Sequence, residues 1–262
     1  MSNLVFSEKA YEGLEKLGLE TALLQLDQTS QMAVAENWSY TEFLGHLLDG
    51  ELAERLRQNV RIAYKMARFP YLKKLDDFDF DVQPSIDRKL VDELANLRFT
   101  EDGRNIILLG PPGTGKTHLA VALASLIVEQ GRRAYFSTAS DMVRKLDKAA
   151  RENRIHRAMQ MLVHPSLLVI DEVGYLQLDK AEASMLFQVI CKRYDKKQSM
   201  IITSNKAFSQ WGDIFANDPV MASAALDRLL HKSTVINIKG ESYRLKEKKK
   251  AGIRLEGGEI MS

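Results

Sequence analysis

The chain has 262 residues, 45% hydrophobic and 27% charged, with 37 basic against 35 acidic side chains and a formal net charge of +2. That is the composition of a globular protein with a full core, one large domain or two small ones, and too near neutrality for charge alone to identify a nucleic-acid binder. The single cysteine, Cys191, excludes an internal disulfide, suits a reducing cytoplasm and reads as a packed apolar residue.

The opening "MSNLVFSEKAYEGLEKLG" mixes acids and bases and lacks the apolar stretch of a signal peptide. No apolar run approaches the ~18 residues of a membrane span, so the expectation is a soluble, intracellular, cytoplasmic chain with no membrane partner. Residues 1–70 read as a small all-helical N-terminal domain. In "NWSYTEFLGHLL", Ser39 and Glu42 form a capping box and Trp38 is placed to staple onto Phe43. Phe43, Leu47, Leu48, Leu52 and Leu56 then recur at helical spacing until Pro70 ends the pattern. The other face carries Arg55, Arg57, Arg61, Lys65 and Arg68, which is either a solvated face or one that meets phosphates or a partner.

The acidic, aromatic stretch "DDFDFDVQPSIDR" has no clear period. Residues 71–84 are therefore expected to form a connector into a second domain, 71–262, which begins with a helix over 85–97. Five short apolar runs follow, separated by helical stretches: "NIILLG", "RRAYFST", "LLVID", "SMIITSN" and "STVINIK". They are continuous rather than alternating, the pattern of strands buried on both faces, and predict an α/β core around a parallel five-stranded sheet.

The first run leads directly into "GPPGTGKTHLA". Gly110, Pro111, Pro112, Gly113, Thr114, Gly115, Lys116 and Thr117 satisfy G-x-x-x-x-G-K-[ST], the phosphate loop of P-loop nucleotide-binding proteins. Glycines let backbone N–H groups turn onto phosphates while the following helix presents its positive end. Lys116 is expected on the β- and γ-phosphates of ATP, the Thr117 hydroxyl on Mg2+, and the His118 amide near the α-phosphate, with its imidazole incidental. In "LLVIDEVGYL", Asp171 stands at the carboxyl end of a buried strand as the expected carboxylate for Mg2+, through water. Glu172 beside it is placed to polarise the attacking water. Asn205, ending "MIITSN", is positioned for the γ-phosphate or that water.

Between the second strand and Asp171 lies "DMVRKLDKAARENRIHRAMQML". Met142, Leu146, Ala149 and Ala150 suggest one buried face, and Arg144, Lys145, Lys148, Arg151, Arg154 and Arg157 dominate the rest. It is either a solvated helix laced by i,i+4 pairs or a DNA-contacting element. Sparse aromatics favour duplex backbone contacts over base stacking. Further on, "AALDRLLHKS" reads as an amphipathic helix end with Leu226, Leu229 and Leu230 on one face and Arg228 on the other, a surface charge or a working group.

These segments, with "RYDKK", "FSQWGDIF", "GESYRLK", "FLGHLLDGELAERLR" and "ARFP", resemble the IstB-like ATP-binding proteins, AAA+ helper ATPases of insertion-sequence transposition related to DnaC-type helicase loaders. The resemblance spans most of the chain. It implies an ATPase that oligomerises on DNA with ATP sites at subunit interfaces and recruits or activates a transposase. A helicase loader is the alternative, sharing every catalytic residue. It implies that Arg228 is an arginine finger offered to a neighbour's ATP, a group worth ~10³–10⁵ in turnover. It also implies that the basic stretch lines a DNA channel. Little sequence follows Arg228, so no C-terminal lid domain is expected, and Arg244 is the residue left for part of a sensor role.

Overall fold

The computed structural model describes residues 2–240 together with Ser242 and Tyr243. Arg244 and the basic run after it lie outside the described residues. The chain divides into two compact units, Met1–Ile62 and Ala63–Ser262, and the division falls inside a helix.

The first unit contains α1 (Ser2–Lys16), α2 (Glu20–Ala35) and most of α3 (Tyr40–Ala67). The capping box is present: the Ser39 amide donates to Glu42 (2.7 Å) and the Glu42 amide to Ser39 Oγ (3.2 Å). Trp38, however, stacks on His46, with ring centres 4.2 Å apart and planes 16° from parallel, an arrangement that covers the flat indole face. The apolar stripe divides. Leu47 is buried, as is Glu51 one turn on, while Leu48, Leu52 and Leu56 are exposed. The reason is angular: Leu47 and Glu51 share one face, and the exposed leucines sit about 100° further round the helix. Glu51 accepts the Thr21 and Ala22 amides at the start of α2 (2.9 and 3.2 Å). Arg55 bonds Glu51 (2.8 Å) and the Gly18 carbonyl (3.1 Å), so the pair ties down the α1–α2 turn.

The second unit is built on β1 (Asn105–Leu109), β2 (Ala134–Thr138), β3 (Leu167–Val173), β4 (Ser199–Ser204) and β5 (Ser233–Asn237). All pairs are parallel, in the order β2-β3-β4-β1-β5. Side chains alternate between two cores. Ile106, Leu108, Val169 and Ile201 pack with α5 (Lys116–Glu129) and α4 (Arg88–Ala95). Ile107, Leu168, Ile170 and Ile202 pack with α6 (Ala139–Arg151), α7 (Ile155–Val163), α8 (Lys180–Asp195), α9 (Trp211–Ile214) and α10 (Pro219–Leu230). Helices on both faces explain why these strands are apolar without alternation.

The helix expected over 85–97 is shorter. Asp87 caps it by accepting the Lys89 amide (2.9 Å), and Leu97 leaves it with φ +61°. The basic stretch is two helices rather than one, broken at Asn153, where φ is +54°. Met142, Leu146 and Ala149 are buried as expected. Ala150 is only half-buried, and Val143 joins the core in its place.

Candidate nucleotide site

The phosphate loop joins β1 to α5. Gly115 has φ +93°, and a Cβ there would come within 2.8 Å of the Phe78 ring; Gly113 has φ +78°, and a Cβ there would collide with the Ser242 hydroxyl. Both positions therefore demand glycine for conformation and for space. Thr114 is fully buried and closes the loop by donating to the Pro111 carbonyl (2.8 Å). Lys116 opens α5, and its ammonium donates to the carbonyls of Gly110 (2.7 Å) and Pro111 (2.6 Å). Burial lowers its pKa, opposed by the nearby Asp171 and Glu172. The first-turn amides of α5 lack intrahelical acceptors and so present donors to an anion.

Asp171 is 4% exposed. Thr117 Oγ1 lies 3.0 Å from both its carboxylate oxygens, and the Thr203 hydroxyl donates to Oδ1. Burial raises the carboxyl above its ordinary range, and the Thr203 and Thr117 hydrogen bonds and Lys116 pull it back.

Glu172 reaches the cleft through an irregularity in β3. Ile170 pairs with Ile202, but the next pair is Val173 with Ser204, so β3 carries one extra residue. In a regular strand Glu172 would share the face of Ile170 and Val173 would turn away. Instead Val173 keeps the Ile170 face, and Glu172 is the extra residue, exposed, with φ +59°. A bulge of this kind re-aims a side chain. The left-handed conformation costs about 1–2 kcal/mol for a residue with a Cβ. Two consecutive carboxylates thereby serve one site, with Asp171 at its floor and Glu172 on its wall.

The cleft has a volume of about 530 Å³. Pro112, Gly113, Gly115, Lys116, Thr117, His118, Glu172 and Asn205 line it, Asp171 lies beneath Thr117, and Gly110 and Pro111 hold Lys116 from behind. Arg228 does not line it. Its side chain is half-buried, folds back to donate to the Ala224 carbonyl (2.9 Å), and sits 5.4 Å from the centre of the Phe187 ring. Of the three leucines expected on its helix's apolar face, Leu229 is buried, Leu226 half-buried and Leu230 exposed. The six basic residues of α6, α7 and the turn between them are all exposed and lie off the cleft. Three are paired locally: Arg144 with Asp141, Arg151 with Asp147 (2.9 Å) and Arg154 with Glu152. Cys191 is half-buried, and burial pushes its thiol pKa up.

One wall of the cleft comes from the connector and from the segment after β5. Tyr71, Lys73, Asp77, Asp79 and Val82 line it together with Tyr243. The Tyr243 amide donates to the Gly113 carbonyl (2.9 Å) and its hydroxyl to the Asp79 carbonyl. Burial and Asp79 push that hydroxyl up to about 12. The His118 imidazole packs against the connector: Nε2 lies 3.0 Å from the Lys74 carbonyl and the ring packs edge-on to Phe78 (5.2 Å), while burial lowers its pKa. No periodicity marks the connector, and its only sequence signal is the interleaving of Phe78 and Phe80 with aspartates. Thr203 and Ser204, polar residues closing a buried apolar strand, carried a clearer one.

Residues 12–251 match the family model described as IstB-like ATP binding protein. An insertion sequence IS21 ATP-binding protein of Pseudomonas aeruginosa is 47% identical over 240 residues, 92% of this chain and 90% of that protein. An insertion sequence IS5376 ATP-binding protein of Geobacillus stearothermophilus is 43% identical over 242 residues, 92% of this chain and 96% of that one. Among solved structures, DnaI matches with a TM-score of 0.55 at 18% identity, over 67% of this chain and 94% of that one. The DnaC helicase loader matches with a TM-score of 0.50 at 23% identity, over 58% and 87%. At that identity the structural likeness concerns the fold, and the fold is the P-loop AAA+ core. Family model, relatives and fold agree, and the chain belongs to the IstB-like ATP-binding proteins, ATPases built on that core.

Proposed function

We propose that this chain is the ATP-driven helper of an insertion-sequence transposition system. It works in the cytoplasm as a homo-oligomer on duplex DNA, recruits or activates the transposase, and lets it go on hydrolysis. The observation that carries this reading is its likeness, along 92% of its length, to proteins named as insertion-sequence ATP-binding proteins.

The geometry supports a mechanism. The phosphates of ATP lie against the loop amides and the start of α5, and Lys116 turns from the Gly110 and Pro111 carbonyls onto the β- and γ-phosphates. The Thr117 hydroxyl and the buried Asp171 carboxylate, 3.0 Å apart, form a hard-oxygen pair that fits Mg2+. When bound, that ion neutralises charge on the phosphate oxygens. Glu172 takes hydrogen bonds from the attacking water and draws off its proton. Asn205, which also lines the cleft at the end of β4, orients the water or the γ-phosphate. Arg228 stands outside its own chain's cleft, so the ATP it serves is a neighbour's, which makes the subunit interface part of the site.

DNA contact is assigned to α6 and α7. Among the described residues Lys145, Lys148 and Arg157 make no ion pair, and these are the charges free to meet phosphates. The test is ATP turnover by the wild type and Glu172→Gln, with and without duplex DNA, across a salt series. Wild-type turnover should rise with duplex and Glu172→Gln should stay inactive while still binding ATP. Duplex affinity should fall linearly with the logarithm of salt, and Lys148→Ala should reduce that slope by about 1. No duplex binding at low salt would overturn the DNA assignment. Capture of the replicative helicase in place of the transposase would overturn the transposition reading.

A further inference from the structure

We propose that Thr203 is a positioning residue for hydrolysis, acting through the bulge that aims Glu172. The inference rests on the reading of Glu172 given above and concerns what holds it in place. Thr203 is 1% exposed and lies on β4, directly beside the point where β3 gains its extra residue. It shares a sheet face with Ile201, the face on which Asp171 also stands.

A threonine hydroxyl has one proton to donate and two lone pairs to accept with. Here the proton goes to Asp171 Oδ1, and the oxygen accepts the backbone N–H of Glu172 (3.0 Å). One side chain therefore grips both residues of the bulge, the first by its carboxylate and the second by its amide. The Glu172 amide needs such an acceptor, because the bulge removes this residue from the regular pairing of β3 with β4. Without the hydroxyl, the Glu172 amide loses its acceptor and Asp171 loses one of its two hydroxyl donors. Glu172 also loses the bond that fixes its left-handed backbone, and with it the direction of its side chain. Asp171 retains Thr117 as a second partner, so its own placement depends less on Thr203.

The consequence is a separation of effects. Thr203 should matter to the step in which Glu172 acts and little to nucleotide binding, which uses the loop amides, Lys116 and Thr117. Thr203→Val keeps the shape and removes the hydroxyl, whereas Thr203→Ser keeps the hydroxyl and removes a methyl group. General-base catalysis contributes about 10²–10⁴ to a rate, and a misaimed base forfeits part of it. Thr203→Val should therefore lower kcat by roughly ten- to a hundredfold, with the dissociation constant for an ATP analogue within about twofold of wild type. Thr203→Ser should restore kcat.

Amide hydrogen exchange at Glu172 supplies a readout independent of turnover: protected in the wild type and in Thr203→Ser, unprotected in Thr203→Val. The proposal is overturned if Thr203→Val turns over ATP at the wild-type rate, if Thr203→Ser fails to restore it, or if nucleotide binding and kcat fall together. Glu172→Gln, measured in parallel, separates the two readings. If it hydrolyses ATP normally, the role of Glu172 itself is wrong. If it is inactive while Thr203→Val is normal, only the positioning inference fails.

Discussion

Among the described residues of the second unit Arg193 is the most deeply buried charge, with no exposed surface, and it has no carboxylate partner there. Its guanidinium donates to the carbonyls of Leu162 (2.8 Å) and Pro165 (3.1 Å) and, through its other terminal nitrogen, to the carbonyl of Ser199. Burial pulls its pKa down to about 9. A planar fork of donors thus ties the end of α7, the approach to β3 and the start of β4 together. Replacing Arg193 with Leu leaves those carbonyls buried without donors. Thermal unfolding should show a loss on the order of 3 kcal/mol, at about 1–3 kcal/mol for each unsatisfied group. Arg193→Lys should recover only part of it, because one ammonium cannot span three carbonyls. Nothing local in "CKRYDKK" separates this arginine from its neighbours, which read as the basic last turn of a helix. Lys116 is the opposite case: its role was legible from the loop around it, because a phosphate loop is built from consecutive residues.

At the scale of elements, the strands were legible because a strand covered on both faces is apolar along its centre without alternation, as "IILL" and "LLVI" are. The capping box of α3 was legible for the same local reason. The buried face of α3 was not, since Leu47 and Leu48 are chemically alike and only the position of α2 decides between them. The choice of face brings Glu51 under the start of α2. Arg55 and then the Ala22 and Thr21 amides hold its carboxyl below the ordinary value of 4.5, against burial, which raises it. A lowered folded pKa contributes stability above the unfolded pKa, and that contribution is lost as pH falls through the folded value. Protection factors for the Thr21 and Ala22 amides should therefore hold at neutral pH and drop as the solution is taken below about 4.5. In Glu51→Gln they should be lower throughout and nearly independent of pH. A wild-type profile that stays flat to low pH would show that Glu51 does not tie the α1–α2 turn.

At the scale of the whole molecule, Arg228 gives the sharpest test of assembly. Its helix presents it outside the cleft of its own chain, half-buried against Phe187. Arg228→Ala should bind ATP normally and lose stimulated turnover, as Glu172→Gln should. An equal mixture should regain activity at the interfaces that pair an intact Glu172 with an intact Arg228, roughly a quarter of them in a closed heterologous ring. A mixture as inactive as its components would rule out action between subunits.

The sequence by itself determined the parallel core and the phosphate loop. Continuous apolar runs and a loop with glycines at 110, 113 and 115 are local consequences of burial and of phosphate geometry. The buried Asp171 carboxylate was placed by its position at the end of such a run. Tertiary structure alone decided that β3 carries an extra residue and that Thr203 grips both sides of it. It also decided that the connector and Tyr243 wall the cleft, and that α3 buries Leu47 rather than Leu48. Each of these depends on which distant segments pack together and in what register. A register is set by the summed fit of two surfaces, and no short stretch of either one contains it.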